Sequence, residues 1–385
     1  MFFDFTEEQL MVQDMAKRFA REEIAPTLEK EEKNHEFKAE RVRKMGELGF
    51  FGCRIPEALG GNGMGFTESV LMGEQIAKVS ASWRLPFNMQ NLGPALTVNE
   101  FGSEEQKRKY IPGWVSGDNL GFFAITETQS GSDVAGMKTF ARDAGDYWEI
   151  TGSKMWISNA HVGDAGLLYA YTDREAKYKG MSAFILEPKN LPGCITTAID
   201  SKLGLHCSPT GEMTFDCARI PKDALLGKLG DGFRICMWQL NNTRMGCAAG
   251  ALGVGAACLE ASITYANERT QFGKPISHHQ LVQAQIAEMA AEHDAARLLV
   301  YRAAWLKDKG LPNQYETSMA KWFACEAAVK ASGECMKIFG SYGYSSEYPA
   351  ERFYRDAKSL QTVEGSSNIQ KTIIAGIACG HQQNR

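Results

Sequence analysis

Five short segments carry the residues whose types and spacing could do chemistry. Ala124-Ile-Thr-Glu-Thr-Gln-Ser-Gly-Ser-Asp-Val134 runs from a strand-like start into a polar Gly/Ser loop. Its backbone amides and hydroxyls could bind an anion or a planar heterocycle, although an ordinary β-turn has the same composition. Met155-Trp-Ile-Ser158 offers Trp156 as a stacking surface, or as core on an alternating strand. Asn267-Glu-Arg-Thr-Gln-Phe-Gly-Lys-Pro275 sets two cations after a helix end, which suits a phosphate-rich ligand or a solvated turn. Lys337-Ile-Phe-Gly-Ser-Tyr-Gly-Tyr344 closes a helix on a glycine, a normal C-cap in isolation. Thr362-Val-Glu-Gly-Ser-Ser-Asn368 places one carboxylate, Glu364, between an apolar residue and a Gly loop, where a cap or surface role is the commoner one.

The elements that must position these segments fall into three compositional regions, 1–118, 119–228 and 229–385. The first is helical: Thr6 with Gln9 reads as a capping box, and further helices follow over Lys38–Leu48 and Thr67–Val79. Pro86 breaks a helix interior but suits a first turn, which leaves the segment around it open. The second region alternates with period two at Tyr147–Thr151, Leu167–Tyr171, Ser182–Leu186 and Glu212–Asp216, with turns between. No helix-length segment interrupts it, so an antiparallel β-unit is expected. Long helical patterns return at Phe233–Arg269, Gln280–Lys309, Thr317–Phe339 and Ile369–Ile377, lengths that suit a helical bundle.

Composition bounds the function. With 385 residues, 44% hydrophobic and 23% charged, the chain is globular, and length alone allows two or three domains. A net charge of −4 provides no global basic field for nucleic acid. The 38 glycines show no period, so each should serve a local turn, a phosphate approach or a close helix contact. None of the 10 cysteines forms a C-x-x-C pair or clusters with histidine at ligand spacing, so a bound metal is not expected. They read as reduced core residues of a cytoplasmic protein. The start MFFDFTEEQL lacks the features of a signal peptide. The uncharged run Met245–Leu259 falls short of the roughly 18–20 residues a membrane span needs, and a close-packed helix explains it better.

Together the segments resemble the acyl-CoA dehydrogenases over almost the whole chain. The motifs are Ile125-Thr-Glu…Gly131-Ser-Asp-Val, Lys154-Met-Trp-Ile-Ser-Asn, Arg269-x-x-Phe-Gly-Lys, Ile338-Phe-Gly-x-x-Gly-Tyr and Val363-Glu-Gly-x-x-x-Ile, in family order and spacing. The resemblance implies an α+β fold: an N-terminal α-helical domain, a middle antiparallel β-domain and a C-terminal four-helix bundle. It implies FAD as cofactor, an acyl-CoA substrate, electron-transfer flavoprotein as acceptor, and a homotetramer built as a dimer of dimers. Phe123, Ile125, Thr126, Gly131 and Ser132 would lie along the flavin and pyrophosphate, with Trp156 and Ser158 closing over the ring. Arg269, Gln271 and Phe272, with Lys337, Gly340 and Ser341, would hold the adenine end across a subunit interface; most relatives have Gln at Lys337 and Gly at Ser341. Ser366 and Asn368 would complete the flavin site, and Ser132 and Arg244 would meet the CoA portion. Asn241 replaces an Asp common in straight-chain enzymes.

Glu364 occupies the family's usual base position; the alternative position is Thr243, which cannot serve. The resemblance implies that Glu364 removes the α proton while hydride leaves the β carbon for flavin N5. Burial would raise the carboxylate's pKa and match it better to a weakly acidic proton.

Ser82-Trp-Arg-Leu-Pro-Phe-Asn-Met-Gln-Asn91 corresponds to the acyl pocket. Arg84 matches the arginine by which glutaryl-CoA dehydrogenases hold a distal carboxylate; as a residue alone it also reads as a surface Arg before a helix. Val363 matches the nondecarboxylating type, where decarboxylating relatives carry Tyr. The expectation is therefore dehydrogenation of a glutaryl-CoA-like thioester without loss of CO₂. An alicyclic thioester is the competing substrate; relatives of that kind can carry an acidic residue where Asn88 and Asn91 stand, amides able to hydrogen-bond a substrate but not to act as bases. A non-catalytic acyl-CoA- or FAD-binding protein is the alternative of another class.

Overall fold

A computed structural model of the chain describes residues 4–384; Met1–Phe3, part of the N-terminal reading above, and Arg385 lie outside the described residues. Helices come first: α1 (Glu7–Phe19), α2 (Leu28–Asn34), α3 (Ala39–Glu47), α4 (Phe66–Val79), α5 (Ala81–Leu92), α6 (Pro94–Phe101) and α7 (Glu104–Ser116). The expected capping box is present, Thr6 Oγ1 accepting from the Gln9 N–H at 3.2 Å and Gln9 Oε1 from the Thr6 N–H at 3.1 Å. Pro86 lies inside α5, not in its first turn. Its ring removes one helical hydrogen bond. The helix persists because Ser80 caps it and almost every one of its side chains is buried, so tertiary packing outweighs local propensity.

The sheet follows: β1 (Gly121–Ala124), β2 (Phe140–Asp143), β3 (Tyr147–Ser158), β4 (Ala165–Tyr171), β5 (Met181–Leu186), β6 (Cys194–Ala198), β7 (Thr210–Pro221) and β8 (Leu225–Leu226). Its order is β6-β7-β3-β2-β4-β5-β8, with β1 also beside β4. The antiparallel expectation needs correction, because β1 and β2 both pair parallel to β4. Parallel neighbours need a long crossover, and here the β2–β3 hairpin fills the connection from β1 to β4 in place of a helix. The runs at Tyr147–Thr151 and Met155–Ser158 are one strand, β3. A register shift against β7 between Lys154 and Ile157 leaves Trp156 at φ +62° and 53% exposed.

The last region holds α8 (Gly232–Glu268), β9 (Thr270–Gln271), β10 (Lys274–Pro275), α9 (Gln280–Asp308), α10 (Gln314–Phe339), α11 (Ala350–Leu360) and α12 (Ser367–Ala378). By length and composition α8 could cross a bilayer, but it is the central helix of the bundle, and 72% of its most apolar window is buried within this fold. Three glycines explain how closely neighbours approach it. A Cβ on Gly246, Gly250 or Gly253 would stand 1.7 Å from Asn88 Oδ1, 2.8 Å from Arg84 Nε or 2.4 Å from the Glu74 carbonyl oxygen. These glycines thus make the slot in which α4 and α5 lie against α8. Every cysteine is free, and Cys53, Cys207, Cys236, Cys247, Cys258, Cys325 and Cys335 are buried. No metal-binding group of His, Cys, Asp or Glu occurs among the described residues.

Candidate active site

Glu364 stands on the turn between α11 and α12 in the left-handed region, at φ +58°, followed by Gly365 at φ +89°. Gly365 adopts this region freely, but a glutamate there needs outside support, since L-residues avoid this conformation. Three long side chains provide it. Arg244 Nε donates to the Glu364 carbonyl oxygen at 2.9 Å, and Lys321 Nζ to that of Gly365 at 2.8 Å. Gln370 Nε2 reaches both, at 3.3 and 2.9 Å. Among the described residues the Glu364 N–H has no acceptor. Thr243 Oγ1 donates to Glu364 Oε2 at 2.6 Å and so orients that carboxylate.

Burial pushes the Glu364 carboxyl above the usual carboxylate range, against the opposing pull of Thr243, Arg84, Arg244 and Lys321. The residue is half-buried when its whole surface is counted, but the carboxyl group itself is enclosed by protein, and that local enclosure governs its proton affinity.

Arg84 is 1% exposed, and its Nε and Nη2 have no hydrogen-bond partner among the described residues. It lies flat across Gly250 of α8, near enough to Glu364 to bias its ionisation. A buried guanidinium without a hydrogen-bond or ion-pair partner is a costly arrangement. Asn88, buried on the same face of α5, donates to the Thr243 carbonyl oxygen at 3.3 Å and leaves Oδ1 unpartnered. Asn91 is committed to the fold: its amide bridges Ser69 Oγ and the Cys53 N–H, each at 2.9 Å.

A groove of about 1080 Å³ runs beside the first turns of α8, lined in part by Asn241, Asn242, Trp238, Lys307 and Arg54. It does not contain Glu364, but Asn241 and Asn242 directly precede Thr243 and Arg244. Asn241 donates to Asn313 Oδ1 at 3.0 Å and keeps a buried, unpartnered Oδ1.

On the sheet side, Phe123, Ile125 and Thr126 lie at and just beyond the end of β1, and Ser158 ends β3. The Met155 N–H joins the two segments by donating to the Thr126 carbonyl oxygen at 2.9 Å. Beneath them is a buried ion pair that the sequence reading did not single out, Lys154 Nζ to Glu127 Oε1 at 2.8 Å. The same lysine donates to the Ile125 carbonyl oxygen at 3.0 Å, while Glu127 accepts from the Lys138 and Thr139 N–H groups. Burial would raise the Glu127 pKa, but Lys154 and these donors hold it near 2; burial brings Lys154 down to about 8 against Glu127. The loop beyond is open, with Gly131 and Ser132 exposed and nothing within 4 Å of where a Gly131 Cβ would stand.

Lys154→Met is expected to destabilise the protein by about 3–5 kcal/mol, because it leaves a buried carboxylate unpaired. Adding Glu127→Gln should recover part of that loss. Chemical denaturation with parallel measurement of retained flavin checks both; equal losses in the single and double variants would contradict the argument.

At the far end of α8, Arg269, Gln271 and Phe272 are exposed, Phe272 by 93% and at φ +52°. Arg269 lies over the Tyr342 ring at 5.7 Å, so this hairpin adjoins the segment of Gly340 and Ser341. Lys337 pairs with Glu334 at 2.6 Å. At about 1.5 Å rise per residue, Arg269 stands roughly 37 Å along the helix from Arg244, so one chain separates this rim from the Glu364 pocket. Ser366 caps α12 through the Ile369 N–H at 3.5 Å, and Asn368 is exposed in its first turn.

Acyl-CoA dehydrogenase family models match the N-terminal domain over residues 6–118, the middle domain over 122–218 and the C-terminal domain over 230–378. The chain belongs to the acyl-CoA dehydrogenase family, FAD-dependent oxidoreductases, and is an enzyme of that class. It is 49% identical to the glutaryl-CoA dehydrogenase of Desulfococcus multivorans over 97% of both chains. A solved glutaryl-coenzyme A dehydrogenase–glutaryl-CoA complex superposes with a TM-score of 0.98 at 48% identity, covering 100% of this chain and 98% of that one. A chain solved in work on the electron transferring flavoprotein of Acidaminococcus fermentans gives 0.96 at 39% identity, over 98% and 99%.

Proposed function

We propose that the enzyme oxidises a short acyl-CoA thioester with a distal carboxylate, glutaryl-CoA or a close analogue, and keeps that carboxylate in the product. The observation that carries this reading is Arg84, a buried and unpartnered cation lying against Gly250 of α8, with its charge bearing on Glu364. Glu364 removes the α proton, its basicity raised by burial and its orientation set by Thr243. The unbonded Glu364 N–H is the donor for the thioester oxygen, on which charge develops as the proton leaves. The CoA arm passes Asn241 of the groove beside α8; Arg244 and Ser132 are the residues proposed to meet the CoA portion, and Asn88 the acyl part. Asn91 is left out, its amide already occupied.

FAD, when bound, supplies the two-electron acceptance for the hydride leaving the β carbon. The residues fit such a group. Trp156 is turned outward by the β3 shift, and the open Gly131–Ser132 loop, Thr126, Ser158, Ser366 and Asn368 offer polar contacts beside it. The separation of the Arg269–Phe272 rim, with Lys337, Gly340 and Ser341, supports a cofactor site completed by a second copy of the chain, within a homotetramer. Electron-transfer flavoprotein is the proposed acceptor, supported by the likeness to the Acidaminococcus fermentans work. Free, largely buried cysteines support a cytoplasmic setting.

Anaerobic bleaching of the holoenzyme by glutaryl-, butyryl- and cyclohexanecarboxyl-CoA tests the substrate. Glutaryl-CoA should bleach fastest and yield a five-carbon dicarboxylic enoyl product. Faster bleaching by the alicyclic thioester, or stoichiometric CO₂ from glutaryl-CoA, would overturn the corresponding part of the reading.

A further inference from the structure

Lys321 sits in the third turn of α10 with no exposed surface. Its hydrogen bond among the described residues runs to the Gly365 carbonyl oxygen, 44 positions away in sequence, and it has no ion-pair partner there. A neutral donor would satisfy one carbonyl at far lower desolvation cost than an ammonium, so the charge itself calls for an explanation. The amide of Gln370, also fully buried, already donates to the same carbonyl.

We infer that Lys321 is a positioning residue for proton abstraction: its ammonium fixes the Glu364–Gly365 peptide from the α10 side while its charge faces the base. The inference rests on the reading of Glu364 as base. Two consequences follow from the geometry. Donors from α8, α10 and α12 hold both carbonyls of the left-handed turn, leaving the Glu364 N–H free for a ligand. The Lys321 charge also opposes the burial that lifts the carboxyl of Glu364. The other groups facing that carboxyl are Arg84 from α5 and, from α8, Arg244, Thr243 and the thiols Cys236 and Cys247. Arg84 is the cation that substrate neutralises in the proposed complex, which would leave Lys321 and Arg244 to balance the base during turnover.

The test is anaerobic flavin reduction in the holoenzyme across pH, with saturating glutaryl-CoA and separately butyryl-CoA. Lys321→Met should slow reduction by about tenfold or more through misplacement of the base and its N–H. Removing the cation strengthens proton binding by Glu364, so the acidic limb of the profile should move to higher pH. Lys321→Arg should keep the limb near its parent position. A parental rate in Lys321→Met, or a slowed variant whose limb does not move, overturns the inference. If Lys321→Met retains no FAD, Lys321→Gln, which keeps a donor without the charge, decides: an acidic limb moved to higher pH supports the inference, and an unmoved limb overturns it. Glu364→Gln run alongside separates the two readings, since normal turnover there defeats the base assignment and not the Lys321 measurement.

Discussion

Glu364→Gln is expected to slow anaerobic flavin reduction by about 10²–10⁴-fold, the usual worth of a positioned general base. FAD content and thioester binding should persist. The amide keeps the shape of the carboxylate and can still accept from Thr243 Oγ1, so the turn and the pocket have no reason to rearrange. What disappears is a group able to hold the α proton. Two further measurements distinguish this from a folding defect. The base works only when ionised, so in the parent kcat/KM should fall with decreasing pH along a limb lying above the ordinary 4.5 of a glutamate, because burial lifts this carboxyl. The same shift sets the sign for stability. A carboxyl that binds its proton more tightly when folded than unfolded adds stability as pH falls through its folded pKa, and its ionised form is unfavourable above that. The variant should therefore melt no lower than the parent at neutral pH. Lower activity together with lower melting would assign Glu364 a structural role instead.

The parts of the fold and of this site that were legible in sequence are local ones. The capping box at Thr6, the long apolar run of α8 and the Glu364-Gly365 pair following an apolar residue are readable from the local sequence. What supports the base is not. Lys321 contacts Gly365 across 44 residues, Thr243 contacts Glu364 across 121, and Lys154 finds Glu127 across 27. Each partner looks ordinary in its own segment. The available signal was a lysine embedded in an apolar helical run, Ala320-Lys321-Trp322-Phe323-Ala324, where a solvated role is hard to reconcile with its neighbours. Pro86 failed as a helix breaker for a related reason, since α5 is held by burial on nearly all sides and local propensity decides least there. The parallel pairing of β1 and β2 with β4 was hidden because alternation reports which face is buried and not which way a neighbouring strand runs.

Arg84→Met should invert substrate preference. For glutaryl-CoA, kcat/KM is expected to fall about 100-fold or more, because truncating one member of a buried charge pair costs about 2–5 kcal/mol and strands the other charge. For butyryl-CoA it should rise, by about tenfold, because the parent pocket must bury an unpaired guanidinium against a methyl group and the variant need not. The glutaryl-CoA loss should fall mainly on KM, since the distal carboxylate meets Arg84 equally before and during proton removal. Arg84→Lys should land between parent and Met, retaining charge but losing the planar fork. Packing gives a further discriminator. Arg84 lies against Gly250, where a Cβ would come within 2.8 Å of its Nε, so an unbranched Met fills the slot without a new contact to α8. The ligand-free Met variant should then be as stable as the parent or more so, while glutaryl-CoA raises its melting temperature far less. A purely structural Arg84 predicts the opposite pattern: both thioesters lose alike, and the ligand-free variant melts early.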